Sequence, residues 1–116
     1  MSRTLDRDAH AALTAALRQR PGVAGCLPYE GMTPVPPAFE RWVRHHFASL
    51  RGIAWRDACP AYALGYLTHH GYDLAEDEDA LHALWDELFA SDLDWESTRR
   101  IVEEAWHWLR ATAPAD

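Results

Sequence analysis

The sequence predicts an all-α fold, a compact bundle of about five helices with an irregular segment rich in proline and glycine after the first helix. Apolar residues recur at intervals of three and four along most of the chain, and no stretch alternates as a strand does. Six tryptophans among 116 residues supply large side chains for a core. A chain of this length forms a single domain, residues 1–116, that buries roughly two-thirds of its unfolded surface without a disulfide or a metal.

The first part of this domain, residues 1–37, is predicted to hold one helix and a strap laid over the core. The helix is expected over residues 6–20, where Pro21 and Gly22 end it. Prolines and glycines then recur up to residue 37 and favour extended, polyproline-like backbone near its end. A flexible linker is the alternative to a strap. The apolar residues that could anchor a strap are Leu27, Tyr29, Met32 and Val35.

The second part, residues 38–111, is predicted to form a tryptophan-rich core from four helices. Their expected spans are residues 38–50, 57–71, 77–90 and a last helix beginning after Asp94, its predicted N-cap. Pro60 would fall in the first turn of the helix over residues 57–71, where a missing N–H is tolerated.

One face of each helix is predicted to point inward. These faces carry Phe39, Trp42, Val43, Phe47 and Leu50 on the second predicted helix, Leu81, Leu84, Trp85 and Leu88 on the fourth, and Thr98, Val102, Ala105, Trp106 and Leu109 on the fifth. The positions expected to dominate the core are Trp42, Trp55, Tyr62, Gly65, Tyr66, Trp85, Trp95 and Trp106. Gly65 is expected to let a bulky ring, of Trp85 or Trp106, approach the third helix closely.

The net charge of −7 is distributed unevenly. Residues 1–72 hold eight arginines against five acids, whereas residues 73–116 hold three arginines against thirteen acids. Direct nucleic-acid binding is not expected, because it requires clustered basic charge. The acidic run is either a solvated face or a surface for a basic partner. Its candidate partner-binding residues are Asp73, Glu76, Asp77, Glu78 and Asp79.

The apolar runs of the chain are all well short of the roughly 20 residues that span a bilayer. The N-terminal stretch is amphipathic rather than a signal-peptide core. These observations predict a cytoplasmic protein without membrane contact, in which Cys26 and Cys59 stay reduced.

Three residues are candidates for a ligand or metal site: His46, His69 and Cys59. His46 falls in the middle of the apolar face of the second predicted helix, and His69 lies on a face of the third that carries alanines, tyrosines and a glycine. Each histidine is either a core residue hydrogen-bonded to backbone or a tyrosine, or part of a metal-binding or pH-sensing pair. Cys59, in the first turn of the third predicted helix, is either a buried structural residue or a thiol whose pKa the helix N-terminus lowers.

Catalytic motifs do not accompany these residues. The chain lacks the nucleophile-elbow, P-loop, dinucleotide and zinc-protease patterns, and it has no lysine for Schiff-base chemistry. Two carboxylate-x-x-His pairs, Asp79 with His82 and Glu104 with His107, have the spacing of di-iron ligands, but their helical phases turn them to water. We therefore expect neither enzymatic activity nor a bound cofactor.

An ordered set of aromatic and glycine positions crosses the second part of the domain. It comprises Trp55, the segment Pro-Ala-Tyr-Ala-Leu-Gly-Tyr at residues 60–66, Trp85, Trp95 and Trp106. With these positions, residues 39–109 resemble a group of small bacterial helical proteins that carry a Pro-Ala-Tyr-Arg-Tyr-Gly-Tyr segment and regularly spaced tryptophans. Members of that group are often encoded near, or fused to, general stress-response proteins. Ala63 and Leu64 depart from the pattern, and the resemblance brings no catalytic residues.

The leading expectation is a non-enzymatic helical protein, linked to the stress response, that acts by binding a macromolecular partner. One alternative is an acidic inhibitor or immunity-type protein that masks a basic site on a partner protein. A second alternative is a metal or small-ligand binder through His46, His69 and Cys59. The sequence leaves open whether the chain also associates with itself.

Overall fold

Four helices follow one another along residues 36–112 of a computed structural model. They are α1 (Pro37–Ala48), α2 (Trp55–Thr68), α3 (Leu74–Leu88) and α4 (Trp95–Thr112). The structure describes residues 36–69, 71–88 and 91–112, together with Asp8, Ala11, Ala12, Thr14 and Ala15, and it contains no strand within these residues. These five residues, which lie between positions 8 and 15, are helical, in agreement with the first predicted helix. The predicted strap lies outside the described residues, except for its last two prolines.

The helix N-termini follow from residues that the sequence places at each boundary. Pro36 is extended, with φ −60° and ψ 145°, and Pro37 is the first residue of α1. A proline suits that position because the first N–H of a helix has no partner within it. Asp94 is the N-cap of α4 as predicted, since its Oδ2 accepts a 3.1 Å hydrogen bond from the Ser97 amide. A hydrogen bond from the Ser97 side chain, and then this bond from the Ser97 amide, lower the pKa of the Asp94 carboxyl.

The predicted starts of the third and fourth helices are wrong by two or three residues. Helix α2 begins at Trp55, so Pro60 is an interior residue rather than part of the first turn. Its missing N–H leaves the Arg56 carbonyl without the usual helical partner. Helix α3 begins at Leu74 instead of residue 77, because Asp73 provides a cap that the sequence analysis overlooked.

The contacts between side chains fix the directions of the helices. Helix α1 runs antiparallel to α4, because Trp42 stacks on Trp108 whereas His46, one turn later in α1, pairs with Glu104, one turn earlier in α4. Helix α1 is also antiparallel to α2, whose Tyr66 packs on Phe39 near the start of α1. Helices α2 and α4 therefore run in the same direction.

The inward faces are largely as predicted. Side chains from all four helices are buried together: Phe39, Val43, Ala61, Tyr62, Leu64, Leu81, Trp85, Ile101, Val102, Ala105, Trp106 and Leu109. Trp85 and Trp106 are each only 3% exposed, as a tryptophan core requires. Trp55 was expected to dominate the core, and this prediction is wrong. Its side chain is 39% exposed and packs at the edge of the core against Phe47 and Tyr62. The side chain of Leu88 lies outside the described residues.

Gly65 brings two helix backbones together. A Cβ at this position would stand 2.9 Å from the Ala105 Cβ and 3.5 Å from the Val102 Cα. The prediction that Gly65 admits an indole ring is therefore wrong, since the space is filled by the small residues of α4. This close approach makes α2 and α4 the central pair of the fold.

Two hydrogen bonds place the buried indoles. The Trp106 Nε1–H donates to Thr68 Oγ1 at 3.0 Å, and that hydroxyl donates in turn to the Leu64 carbonyl at 2.6 Å. The Trp85 Nε1–H donates to the Leu93 carbonyl at 3.1 Å. Buried polar groups of tryptophan thus have partners, as a stable core requires. None of the helices in the described ranges combines the length and the apolar character needed to cross a membrane.

Candidate functional site

A network of hydrogen bonds crosses the interface of α1, α2 and α4 and is centred on His46. Its Nδ1 lies 2.6 Å from the Tyr62 hydroxyl, and its Nε2 lies 3.0 Å from Glu104 Oε1. The His46 side chain is 14% exposed and the Glu104 side chain is 49% exposed, so the network leads from the core to the surface. The prediction of a core histidine hydrogen-bonded to a tyrosine is confirmed. The carboxylate at its other end was not foreseen.

Burial raises the pKa of the Tyr62 hydroxyl, and the nearby Glu104 carboxylate raises it further, so the phenol stays protonated. The His46 ring bridges this phenol and the Glu104 carboxylate, and the hydrogen-bond network therefore links α1 to both α2 and α4.

Among the residues that the structure describes, a groove of about 500 Å³ lies beside this network, between α1 and α4. It is lined by Trp42, His46, Glu103, Glu104, His107 and Trp108. The rings of Trp42 and Trp108 are 5.8 Å apart at an angle of 26°, and Trp42 stacks on the His46 ring at 4.8 Å. The near-parallel rings form an aromatic floor, and two carboxylates of α4 stand at its rim. We refer to this feature as the aromatic groove.

Trp108 and Glu103 were not among the residues predicted for a site. Trp108 follows the inward-facing Trp106 by two positions, so it points about 200° away on the helix. A tryptophan on the side of a helix opposite its main apolar stripe is the signal that a second helix packs there. That helix is α1, through Trp42 and Phe39.

The predicted acidic patch separates into structural and surface residues. Asp77 is buried, and its Oδ2 accepts a 2.8 Å hydrogen bond from the Asp73 amide. Asp73 Oδ1 accepts in turn from the Ala75 amide at 2.7 Å, so the two carboxylates cap α3 reciprocally. The prediction that Asp77 contributes to a partner surface is therefore corrected, because the side chain closes the start of its own helix.

Glu78 is also engaged within the protein. Its Oε2 accepts hydrogen bonds from Trp95 Nε1 at 3.0 Å and from Arg99 Nε at 3.2 Å. The indole hydrogen bond, and then the Arg99 charge, lower the pKa of this carboxyl. Glu78 therefore ties α3 to the start of α4, whereas Glu76 and Asp79 are exposed.

The outward side of α3 carries exposed acids at helical spacing, among them Glu76, Asp79 and Asp86. At about 100° per residue they fall within roughly 80° of one another. Asp86 also lies 3.2 Å from the His82 ring, which stacks on Trp95. We call these three residues the acidic face of α3.

The structure does not bring His46, His69 and Cys59 together. Cys59 and His69 are ten residues apart along α2 and its C-cap, which corresponds to about 15 Å. Cys59 is fully buried and lies past the first turn of α2, so its predicted place among the unpaired N-terminal amides is corrected. His69 Nδ1 lies 2.6 Å from the Tyr66 carbonyl, the backbone hydrogen bond anticipated for a core histidine.

The end of α2 is held by α4. Arg110 donates to the His69 carbonyl at 3.0 Å and to the Tyr72 carbonyl at 2.7 Å, and its guanidinium stacks on the Trp106 ring at 4.6 Å. The described residues contain no group of three or more His, Cys, Asp or Glu side chains arranged to hold a metal ion. Asp79, Glu104 and His107 of the carboxylate-x-x-His pairs are exposed as predicted, and His82 is half-buried.

Comparison with known proteins yields no match to the chain among protein-family models, curated proteins or solved structures.

Proposed function

We propose that this chain is a non-enzymatic binding protein that meets a basic surface of a partner protein through the acidic face of α3. The observation that carries the proposal is the charge of this helix. Its sequence, LAEDEDALHALWDEL, contains six acids and no arginine or lysine. Three of these acids, Glu76, Asp79 and Asp86, recur on one exposed side of the helix.

The acids of α3 differ in their contacts, and this difference supports the proposal. Asp77 and Glu78 stabilise the fold by capping α3 and by binding Trp95 and Arg99. Glu76 and Asp79 are exposed, and their side chains have no such hydrogen bonds to the residues that the structure describes, so their charge is directed to solvent. Like charges on one helix face repel one another, and a basic partner relieves this repulsion while steering the encounter.

A binding role also agrees with the surroundings of Cys59 and His46, the candidates for a nucleophile and a base. Cys59 is fully buried, and His46 is held between Tyr62 and Glu104. A partner whose own functional site is basic would be masked by the acidic face, as an inhibitor masks its target. The proposed link to the stress response rests on the resemblance of residues 39–109 to the stress-associated helical proteins.

Capture from a lysate of the native host, followed by quantitative mass spectrometry, tests the proposal with three baits. They are the unmodified protein, the variant Glu76→Gln/Asp79→Asn, and the matched control Glu40→Gln/Asp92→Asn, which removes the same charges elsewhere. We expect at least one basic protein to be retained by the unmodified protein and the control, and to be depleted from the acidic-face variant. Equal retention by all three baits would contradict the proposal.

A further inference from the structure

Tyr62 lies in a continuous row of aromatic rings that extends to the protein surface. Its ring centroid is 6.0 Å from that of Trp42 on α1 and 6.2 Å from that of Trp55 at the start of α2. Trp42 stacks in turn on Trp108 of α4 at 5.8 Å. Tyr62 is fully buried, whereas Trp55 is 39% exposed and Trp108 is half-buried. We call these four rings, which are in successive contact, the ring relay.

Contact between the rings gives the buried phenol a route for electrons. Electrons tunnel through protein at rates that fall steeply with distance, so rings in contact exchange an electron much faster than rings that are apart. The relay consists of indole and phenol rings, the side chains that lose one electron most readily after thiols. An oxidant that removes an electron from Trp55 therefore leaves a radical cation that Tyr62 can reduce.

The hydrogen-bond network supplies the proton acceptor that oxidation of Tyr62 requires. A phenol that loses an electron becomes a strong acid and releases its proton to a base within hydrogen-bond distance. His46 Nδ1 lies 2.6 Å from the Tyr62 hydroxyl, and Nε2 lies 3.0 Å from Glu104 Oε1. A carboxylate accepts hydrogen bonds and does not donate them, so Glu104 favours a proton on Nε2 and leaves the Nδ1 lone pair for the phenol. The same carboxylate stabilises the imidazolium that the transfer forms.

We propose that Tyr62 is a redox-active tyrosine that one-electron oxidants, such as small inorganic radicals, oxidise through the ring relay. The oxidant takes one electron from an indole of the relay, and the indole radical cation then takes one electron from Tyr62. The Tyr62 O–H bond breaks, and its proton forms an N–H bond at His46 Nδ1. The products are the reduced oxidant, a neutral indole, a neutral tyrosyl radical and an imidazolium. A one-electron reductant such as ascorbate returns the electron through the relay, and the proton returns from His46 to the phenol oxygen.

None of these residues belongs to the acidic face of α3, so this activity is separate from the proposed binding role. Pulse radiolysis of the full chain with azide radicals, which take one electron from tryptophan and become azide, tests it. We expect the absorbance of the tryptophan radical to decay while that of a tyrosyl radical rises, at a first-order rate that does not depend on protein concentration. Tyr62→Phe keeps the ring, removes the hydroxyl and should lose this rise. The matched control Tyr66→Phe removes another phenol of α2 and should keep it.

The rate of the rise tests the role of His46. In heavy water the rise should be slower in the unmodified protein, because a proton moves with the electron. His46→Gln keeps a hydrogen-bond acceptor but no base, and it should slow the rise about 100-fold, the lower end of the range for a positioned general base. The heavy-water measurement keeps the test informative if His46→Gln fails to fold.

Three results would overturn the proposal. The radical could remain on tryptophan in the unmodified protein, or the tyrosyl signal could survive Tyr62→Phe and disappear in Tyr66→Phe. Either result would exclude Tyr62 as the site of oxidation. A rise that neither heavy water nor His46→Gln slows would exclude proton transfer to His46.

Discussion

The contact between Gly65 and Ala105 predicts that adding a single methyl group to α2 destabilises the protein. In Gly65→Ala the new Cβ would lie 2.9 Å from the Ala105 Cβ, whereas carbon atoms pack at about 3.5–4.0 Å. The two helices would have to separate by several tenths of an ångström along their closest contact. Overpacking of this kind costs about 1–3 kcal/mol.

Helix propensity acts in the opposite direction. Alanine is favoured over glycine inside a helix by about 1 kcal/mol. We therefore expect Gly65→Ala to lower the free energy of unfolding by about 0–2 kcal/mol, although the same change stabilises an isolated helix. The variant Ala83→Gly, at an exposed position of α3, measures the propensity contribution in this chain without a packing change.

A double-mutant cycle with Ala105→Gly isolates the contact. The second substitution removes the atom at 2.9 Å, and the remaining neighbours of the new methyl group lie at ordinary distances of 3.5 and 3.6 Å. The double variant should therefore be more stable than the sum of the single effects predicts, by about 1–3 kcal/mol. Urea unfolding followed by tryptophan fluorescence, with unchanged m-values, gives these energies. A stabilising Gly65→Ala with additive behaviour in the cycle would refute the close packing of α2 on α4.

Three further predictions concern polar groups of the fold. Thr68→Val removes the acceptor of the buried Trp106 indole and should lower the free energy of unfolding by about 1–3 kcal/mol, while Thr68→Ser should recover most of it in the same urea assay; equal stability of the two variants would contradict this. Asp73→Ala should cost about 0.5–2 kcal/mol through loss of the α3 cap, whereas Asp73→Asn, which keeps an acceptor oxygen, should cost less; the reverse order would argue against capping. Because the pKa of Tyr62 is raised in the folded protein, its phenol should stay neutral at about pH 10, where the unfolded chain begins to ionise. The Tyr62 contribution to stability should therefore be intact below about pH 10 and decline above it, and Tyr62→Phe should remove absorbance from the last step of the titration at 295 nm; a loss of absorbance from the step near pH 10 instead would contradict the burial.

The sequence predicted the parts of the fold that depend on local periodicity. The inward residues of α4, from Thr98 to Leu109, are all buried, and Asp94 caps the helix as its position indicated. The predicted starts of the helices were less accurate than their predicted inward faces. The fourth helix was predicted to start at residue 77, yet Asp73 and Asp77 form a reciprocal cap around an earlier start at Leu74.

The candidate sites depend on pairs of residues far apart in the chain, which periodicity does not specify. His46 was predicted to be either a core residue bonded to backbone or a tyrosine, or part of a metal-binding or pH-sensing pair. Its pairing with Glu104, which no alternative included, joins residues 58 positions apart. Trp108 was missed because it lies off the stripe that contains Trp106, and only the packing of α1 explains it. The neighbour of Gly65 was predicted wrongly, because a glycine allows an aromatic ring and a neighbouring helix backbone to approach equally closely.

The central claim is that α1 packs on α4 through Trp42 and Trp108 and so forms the floor of the aromatic groove. Nuclear Overhauser effects between the ring protons of these two indoles, assigned with the variant Trp108→Leu, measure that contact directly. The geometry, with ring centroids 5.8 Å apart, predicts clear cross-peaks between the two rings. Their absence in the folded protein, with α1 still helical, would contradict the account.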